Sequence, residues 1–415
     1  MSHIIVIGGG AAGMMAAYTA ALRGHSVLLL EKNEKLGKKI YITGKGRCNL
    51  TNACDFPVFI ENIVSNPRFM YSSGRAFGPG DMISLLEETG CPVVVERGCR
   101  AFPASGHASD VTKALERRLK EAGVRIELET EVLRILPLGP KGFSVTVLQK
   151  GNKRELPAES VIVCTGGLSY PSTGSTGDGY RFAKDAGLDI RPCSPALVPL
   201  TADEDCSCLQ GVSLKNVSIR ISEASGGKTV YESEPGELLF THFGLSGPLI
   251  LTASSLITGG ISAGKRYLLH IDLKPGLTPE KLDERLLRDF QDRQNMQVEN
   301  ALGKLLIASL RPVIVQRAAI DPLKRVRDIT KKERLRLAEI IKGLSFTISG
   351  TRGYSEAVIT QGGVSTTEID PKTMECKRCP GLYFAGEVLD VDAFTGGFNL
   401  QIAWSTGHAA GAGCG

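Results

Sequence analysis

Long hydrophobic runs are absent from the 415 residues: none approaches the roughly 20 apolar residues that a membrane-spanning helix needs. No secretory leader is expected either, because Met1 leads straight into His3-Ile4-Ile5-Val6-Ile7 without a basic segment, apolar stretch and cleavage site. The eleven cysteines are odd in number and mostly single (Cys48, Cys91, Cys164, Cys193, Cys414), which does not make a disulfide framework. Reduced thiols and a cytoplasmic location are therefore expected. Charge of one sign is also scarce. The net charge of +5 is spread thinly over the chain, and the densest basic stretch, Lys324 to Arg336, is broken by Asp328 and Glu333. It reads as a solvated helical face, so neither a nucleic acid nor a membrane is an expected partner; a small-molecule substrate is. Cys376-Lys377-Arg378-Cys379 has metal-pair spacing, but no second pair of comparable spacing accompanies it, and Cys206-Ser207-Cys208 is too tight; no metal site is expected. Repeats, low-complexity tracts, a G-x-S-x-G elbow and a P-loop are all missing.

What remains is an ordinary globular composition, 42% apolar and 22% charged, long enough for two or three domains. Short apolar runs at Ile4–Ile7 and Val27–Leu30 flank an Ala-, Met- and Leu-rich helix from Ala11 to Leu22. That is a βαβ start, which predicts a parallel, doubly wound sheet. A second helix is expected to begin at a Ser109-Asp110 cap and end at Gly123, with strands at 124–128, 132–135, 143–148 and 161–163. From residue 190 to 275 the pattern becomes antiparallel, with Val217, Ile219 and Ile221 alternating with polar residues. Thr278-Pro279-Glu280 opens a helix and Thr330 to Glu333 forms a capping box before another, so 276–345 reads as mostly helical.

Gly8-Gly9-Gly10-Ala11-Ala12-Gly13 satisfies G-x-G-x-x-G, a weak pattern in a chain with 48 glycines. Its context strengthens it, since it follows a buried strand, opens a helix, and Glu31 ends the next strand. Gly8 would permit the tight turn, Gly10 the approach of a pyrophosphate, and Gly13 the packing of helix on strand. The helix N-terminus would face the phosphates and Glu31 the ribose. The fingerprint does not separate FAD from NAD. The C-terminal segment does: Gly381-Leu382-Tyr383-Phe384-Ala385-Gly386-Glu387, then Gly396-Gly397-Phe398-Asn399 opening a helix. That arrangement suits ribityl hydroxyls and the carbonyl edge of a flavin. Lys38, Lys39 and Arg47 add positive charge to a Gly-rich loop.

Three motifs then carry a resemblance: Lys45-Gly46-Arg47-Cys48-Asn49-Leu50-Thr51-Asn52, Gly236-Glu237-Leu238-Leu239-Phe240-Thr241-His242 and Thr395-Gly396-Gly397-Phe398-Asn399-Leu400-Gln401. The chain resembles the glutathione-reductase-type FAD flavoproteins that include bacterial 3-dehydro-bile acid delta(4,6)-reductases and aminoacetone oxidases. The resemblance covers essentially the whole chain. It implies an FAD-binding domain made from both ends, with an inserted β-rich domain and a helical subdomain. It also implies that Arg47 and Asn49 lie along the cofactor, that Val132 presents backbone to the adenine, and that Glu387, Asn399 and Leu400 sit at the flavin end.

The expected architecture is thus α/β, with a Rossmann-like FAD-binding domain (parallel sheet, βαβ) from 1–189 and 346–415. The β-rich insertion occupies 190–275 and the helical subdomain 276–345. Candidate cofactor contacts are Gly8, Gly10, Ala12, Gly13, Glu31, Lys32, Lys39, Gly46, Arg47, Asn49, Val132, Gly386, Glu387, Asn399 and Leu400. The expected activity is an FAD-dependent oxidoreductase, with hydride passing from NAD(P)H through FAD to a C=C bond conjugated to a ketone, as in a 3-oxo bile-acid enone. No second G-x-G-x-x-G lies on a strand–helix junction to mark a nicotinamide domain. An amine oxidase using O₂ and a non-catalytic flavin-binding scaffold are the alternatives. His242 is the candidate proton donor, with hydrogen bonding to a turn of the inserted domain as its plainer role.

Overall fold

The computed structural model describes residues 2–139 and 142–415. The apolar runs β1 (His3–Ile7) and β2 (Ser26–Leu30) pair in parallel, and Arg125–Glu127 (β3), Ser160–Val163 (β4) and Leu382–Phe384 (β5) complete one sheet. Its order is β5-β4-β1-β2-β3. Residues Ile4, Ile5, Val6, Val161, Ile162 and Val163 are fully buried, as a strand covered on both faces requires. Four helices share the apolar core of this sheet: α1 (Ala11–Leu22), α2 (Ala108–Glu121), α3 (Asp178–Asp185) and α4 (Phe398–Gly413).

Helices α1 and α4 touch backbone to backbone. A Cβ placed on Gly407 would collide with the Ala12 carbonyl oxygen, and one on Gly411 with that of Ala16. The two contacts advance together along both helices, so they run parallel. Phe398 lies nine residues before Gly407, whereas Ala11 lies one before Ala12. At 1.5 Å per residue the N-terminus of α4 therefore extends about 12 Å beyond that of α1.

The chain forms two compact units, Met1–Ala196 with Gly353–Gly415, and Leu197–Arg352. Besides the parallel sheet, the first holds an antiparallel meander (Thr130–Pro137, Phe143–Gln149, Asn152–Ala158) and the pair Ile190–Ala196 with Ile359–Val364. In the second, Ser213–Glu223, Gly236–Thr241, Gly244–Ser246, Leu200–Ala202, Leu344–Thr351 and Tyr267–Asp272 pair in turn. The last pairs back with the first, closing a ring of antiparallel strands. Closure leaves these strands no open edge. Helices Pro279–Gln291, Leu310–Arg317 and Lys331–Lys342 share their buried apolar core.

These pairings shift the expected boundaries. Residues 190–196 belong with the first unit because they pair with Ile359–Val364, and 346–352 belong with the second because Leu344–Thr351 closes the ring. The insertion also holds a helix, Pro248–Ser262, that the antiparallel reading missed: its Ser, Thr and β-branched residues have weak helix propensity, and packing decides. Thr278 and Thr330 cap their helices as expected. Ser109 does not; α2 starts at Ala108 behind an uncapped His107, and Asp110 lies in its first turn. No helix among the described residues is long and apolar enough to cross a membrane.

The α1–α4 contact gives a direct check. Gly407→Val forces the helices apart and should cost about 1–3 kcal/mol or more, as overpacking does. Urea denaturation measures it, and an unchanged midpoint would show that the helices do not meet there.

Candidate functional site

Gly8, Glu31, Thr165 and Gly386 follow the carboxyl ends of β1, β2, β4 and β5, the edge where open α/β sheets bind ligands. Gly8 has φ +100°, and a Cβ on it would stand 2.5 Å from the Cys164 carbonyl oxygen. A Cβ on Gly13 would strike the Gly8 carbonyl oxygen. Gly10 is different: a Cβ there would meet nothing within 4 Å. It is the N-cap of α1, no side chain caps that helix, and no acid lies in its first turn. The first N–H groups of a helix lack intrahelical acceptors. Here no side chain caps them and the space beside Gly10 is open, an arrangement suited to an anion.

Glu31 is 7% exposed. Its Oε2 accepts from the Gly9 N–H at 2.6 Å, and its Oε1 from the Asn33 N–H and Nδ2 at 2.8 and 2.6 Å. A carboxylate offers about four acceptor positions, so one position on Oε2 is left among the described residues. A groove of about 650 Å³ opens alongside, lined by Asn33, Glu129, Glu131, Ser172 and Thr176 among others. Lys32 points its ammonium at Asp178 Oδ2 and Thr176 Oγ1, both at 2.6 Å.

Gly386 sits against α1, where a Cβ would be 2.7 Å from that of Ala12. The next residue, Glu387, repeats the pattern of Glu31. Its Oε1 accepts from Ser169 Oγ at 2.6 Å and the Thr360 N–H at 2.9 Å, and its Oε2 from Lys39 Nζ at 2.6 Å. Thr360 Oγ1 accepts from the N–H groups of Leu168 and Ser169, which fixes the loop that holds Glu387. Lys39 and Glu387, both predicted contacts, thus form one half-buried ion pair. Ser169 and Thr360 were missed. Ser169 adjoins the Tyr170 to Gly174 turn that follows β4, a readable hint, whereas Thr360 is brought in by strand pairing and has no local signal.

Two of the three motifs interlock. With its amide oriented to satisfy every partner, Asn49 donates to the carbonyls of Thr51 (3.1 Å) and Ala101 (3.3 Å) and accepts from the Gly397 N–H (3.1 Å). Thr51 Oγ1 donates to Gln401 Oε1 at 2.7 Å, and Trp404 Nε1 to the Leu50 carbonyl at 2.9 Å. The segment 49–52 is thereby bound to the start of α4. Gly397 is the N-cap of that helix and makes no side-chain cap.

The other predicted contacts have partners of their own within the protein. Arg47 pairs with Glu96 at 2.5 Å and lies 4.3 Å over the Phe102 ring. Asn399 clamps its own approach loop, donating to the carbonyls of Ala393 and Phe394 and accepting from the Ala393 N–H. Val132 is buried in the meander beside a bulge, Gly46 holds φ +86° in a turn, and Leu400 packs on the core. His242 lies in the second unit, exposed in the hairpin turn after Gly236–Thr241, its ring edge-on to Phe243. Burial pushes the Cys48 thiol up to about 12, so it packs as a neutral group. Among the described residues no group of three His, Cys, Asp or Glu side chains is placed to hold a metal ion.

The family model described as "HI0933-like protein Rossmann domain" matches residues 2–413. A ribosomal RNA dihydrouridine synthase of Haemophilus influenzae is 33% identical over 408 residues, 98% of this chain and 97% of that protein. A 3-dehydro-bile acid delta(4,6)-reductase of Clostridium scindens is 31% identical over 414 residues, 99% of this chain and 98% of that one. Among solved structures, the 3-ketosteroid-delta4-(5alpha)-dehydrogenase of Rhodococcus jostii has a TM-score of 0.51 at 17% identity, covering 99% of this chain and 96% of its own. That last likeness is one of fold.

Between Glu387 and α4 lies Asp392, 1% exposed. Burial lifts its carboxyl to about 6, hydrogen bonds from Ser65 and Gln361 partly oppose this, and Asp390 and Glu387 add to it. The folded state therefore holds this proton more tightly than the unfolded chain. That stabilisation is complete below the ordinary carboxyl range near pH 4 and is lost as the pH rises through about 6. Asp392→Asn, which cannot ionise, should change stability little at pH 4 and raise it by up to roughly 3 kcal/mol at pH 7. Urea titrations of both proteins at the two pH values check this; a pH-independent difference would show that Asp392 does not titrate there.

Proposed function

The chain belongs to the HI0933-like Rossmann family, and from that premise we propose that it is an FAD-dependent oxidoreductase that reduces a carbon–carbon double bond conjugated to a carbonyl. The observation that carries the cofactor half is the parallel register of α1 and α4. It offers two uncapped helix N-termini about 12 Å apart along one direction, and a flavin dinucleotide presents acceptors at two such places. Gly10 and the first turn of α1 would hold the pyrophosphate, with Lys39 supplying nearby charge. The remaining acceptor positions of Glu31 and Glu387 suit a ribose hydroxyl and a ribityl hydroxyl. The N-terminus of α4 would favour negative charge on the ring carbonyl edge.

The chemistry half rests on what two full-length relatives share. Making dihydrouridine saturates the C5=C6 bond of uracil, conjugated to the C4 carbonyl; a delta(4,6)-reductase saturates a bond conjugated to the 3-oxo group. When bound, the flavin supplies the hydride for the β-carbon of such a system. The enolate that results needs a proton, for which His242 remains the candidate donor. NAD(P)H is the proposed source of the reducing electrons. No feature among the described residues favours amine oxidation.

Anaerobic stopped-flow on the reduced holoprotein tests the reading. A 3-oxo-Δ4 steroid acid or a uridine-containing RNA should reoxidise the flavin faster than its saturated counterpart. Indifference to both, with peroxide formed from an aminoketone and O₂, would replace the reductase by the oxidase. In the cradle, Glu31→Ala should weaken FAD binding by roughly 1–3 kcal/mol, and Gly10→Val by more, because a side chain would fill the open space. Equal retention by both variants would make the loop merely structural.

A further inference from the structure

The net charge of +5 has one address. The thirteen residues Lys324–Arg336 contain seven Lys or Arg and two Asp or Glu, while the other 402 residues contain 42 of each. Asp328 and Glu333 interrupt the stretch, which is why it reads from sequence as a solvated helical face.

The structure sorts those seven cations. Lys324 pairs with Glu333 at 2.7 Å, Arg334 reaches both oxygens of Asp283 at 2.6 and 3.1 Å, and Arg336 donates to the Ala318 carbonyl. Arg327 meets Asn295 and, at 3.9 Å, Asp328. Arg325, Lys331 and Lys332 are exposed, and no acid among the described residues forms an ion pair with them. They are nonetheless displayed on fixed backbone. The Val298 N–H donates to the Lys324 carbonyl, the Val326 N–H to that of Met296 and the Arg327 N–H to that of Gln294. Thr330 and Glu333 then close a capping box on helix Lys331–Lys342. Lys331 and Lys332 occupy the first turn of that helix, where its dipole disfavours cations. Intramolecular electrostatics therefore does not account for them.

We propose that Arg325, Lys331 and Lys332 form a docking surface for the phosphodiester backbone of RNA. This rests on the conjugated-double-bond reading, since uracil within RNA is one such acceptor and a full-length relative carries that activity in its name. The stretch contains no aromatic residue, so it contacts phosphates and does not stack bases. A lipid surface fits less well, because the helix buries Leu337, Ala338 and Ile341 in the core of its unit, and the exposed Leu323 and Leu335 are single side chains rather than an apolar face for insertion.

The test is fluorescence anisotropy of the flavin-loaded full chain with a labelled stem-loop RNA bearing loop uridines, across a salt series. About three phosphate contacts predict a slope of log affinity on log salt of roughly −2 to −3, or about tenfold weaker binding on tripling the salt. The triple variant Arg325→Gln, Lys331→Gln, Lys332→Gln should bind at least tenfold more weakly with a flatter slope. A control with the same charge change, Lys215→Gln, Lys228→Gln, Lys281→Gln, should stay within twofold of the unmodified protein. Equal binding by the patch variant, equal loss in the control, or patch-dependent binding of phosphatidylglycerol vesicles without RNA binding would each overturn the proposal. Binding needs no turnover, so the two readings fail separately. A protein that binds RNA through the patch but whose reduced flavin ignores every enone refutes the reductase. One that reduces an enone but does not bind RNA refutes the surface.

Discussion

Everything at the candidate site hangs on the absence of two side chains, at Gly407 and Gly411, from the face that α4 turns to α1. Without them the helices approach to backbone contact and are held parallel in one register. That register fixes where each helix begins, and the beginnings are what matter chemically. Gly386 seals the junction against Ala12, so Glu387 emerges beside the Gly-rich loop although 374 residues separate it from Gly13. The interlock of Asn49, Thr51 and Leu50 with Gly397, Gln401 and Trp404 then fixes the outer end of α4.

A pattern recurs on this scaffold. Glu31 and Glu387 each follow a parallel strand closely, each accepts three hydrogen bonds from the protein, and each keeps one position on a single oxygen. Bonds to fixed donors hold both carboxylates in place before any ligand arrives, which spares binding the cost of ordering them. Ser169 and Thr360 achieve for Glu387 what Gly9 and Asn33 achieve for Glu31.

Local signals made much of this legible. The strand–glycine–helix–strand order is written within thirty residues, so the parallel sheet, Gly8, Gly10, Gly13 and Glu31 follow from periodicity and turn chemistry. Gly386 and Glu387 were readable for the same reason. What escaped depends on partners distant in sequence. Thr360 acquires its role only when its strand pairs with Ile190–Ala196, and that pairing also moved the domain boundary. Leu344–Thr351 closes a ring that begins more than a hundred residues earlier, which no window detects. Helix Pro248–Ser262 forms against its own propensity. Arg47 and Asn399 carry expectations from resemblance alone, and the partners of their side chains, Glu96 and Phe102 for one and the loop at Ala393 and Phe394 for the other, have no local signal.

A dinucleotide held at two helix N-termini is the central proposal. Its most direct measurement is the identity and stoichiometry of the small molecule released when the natively purified protein is denatured, read by mass spectrometry and absorbance. The account predicts FAD at about one equivalent per chain. FMN, a nicotinamide dinucleotide alone, or a protein that neither carries nor takes up FAD would contradict it.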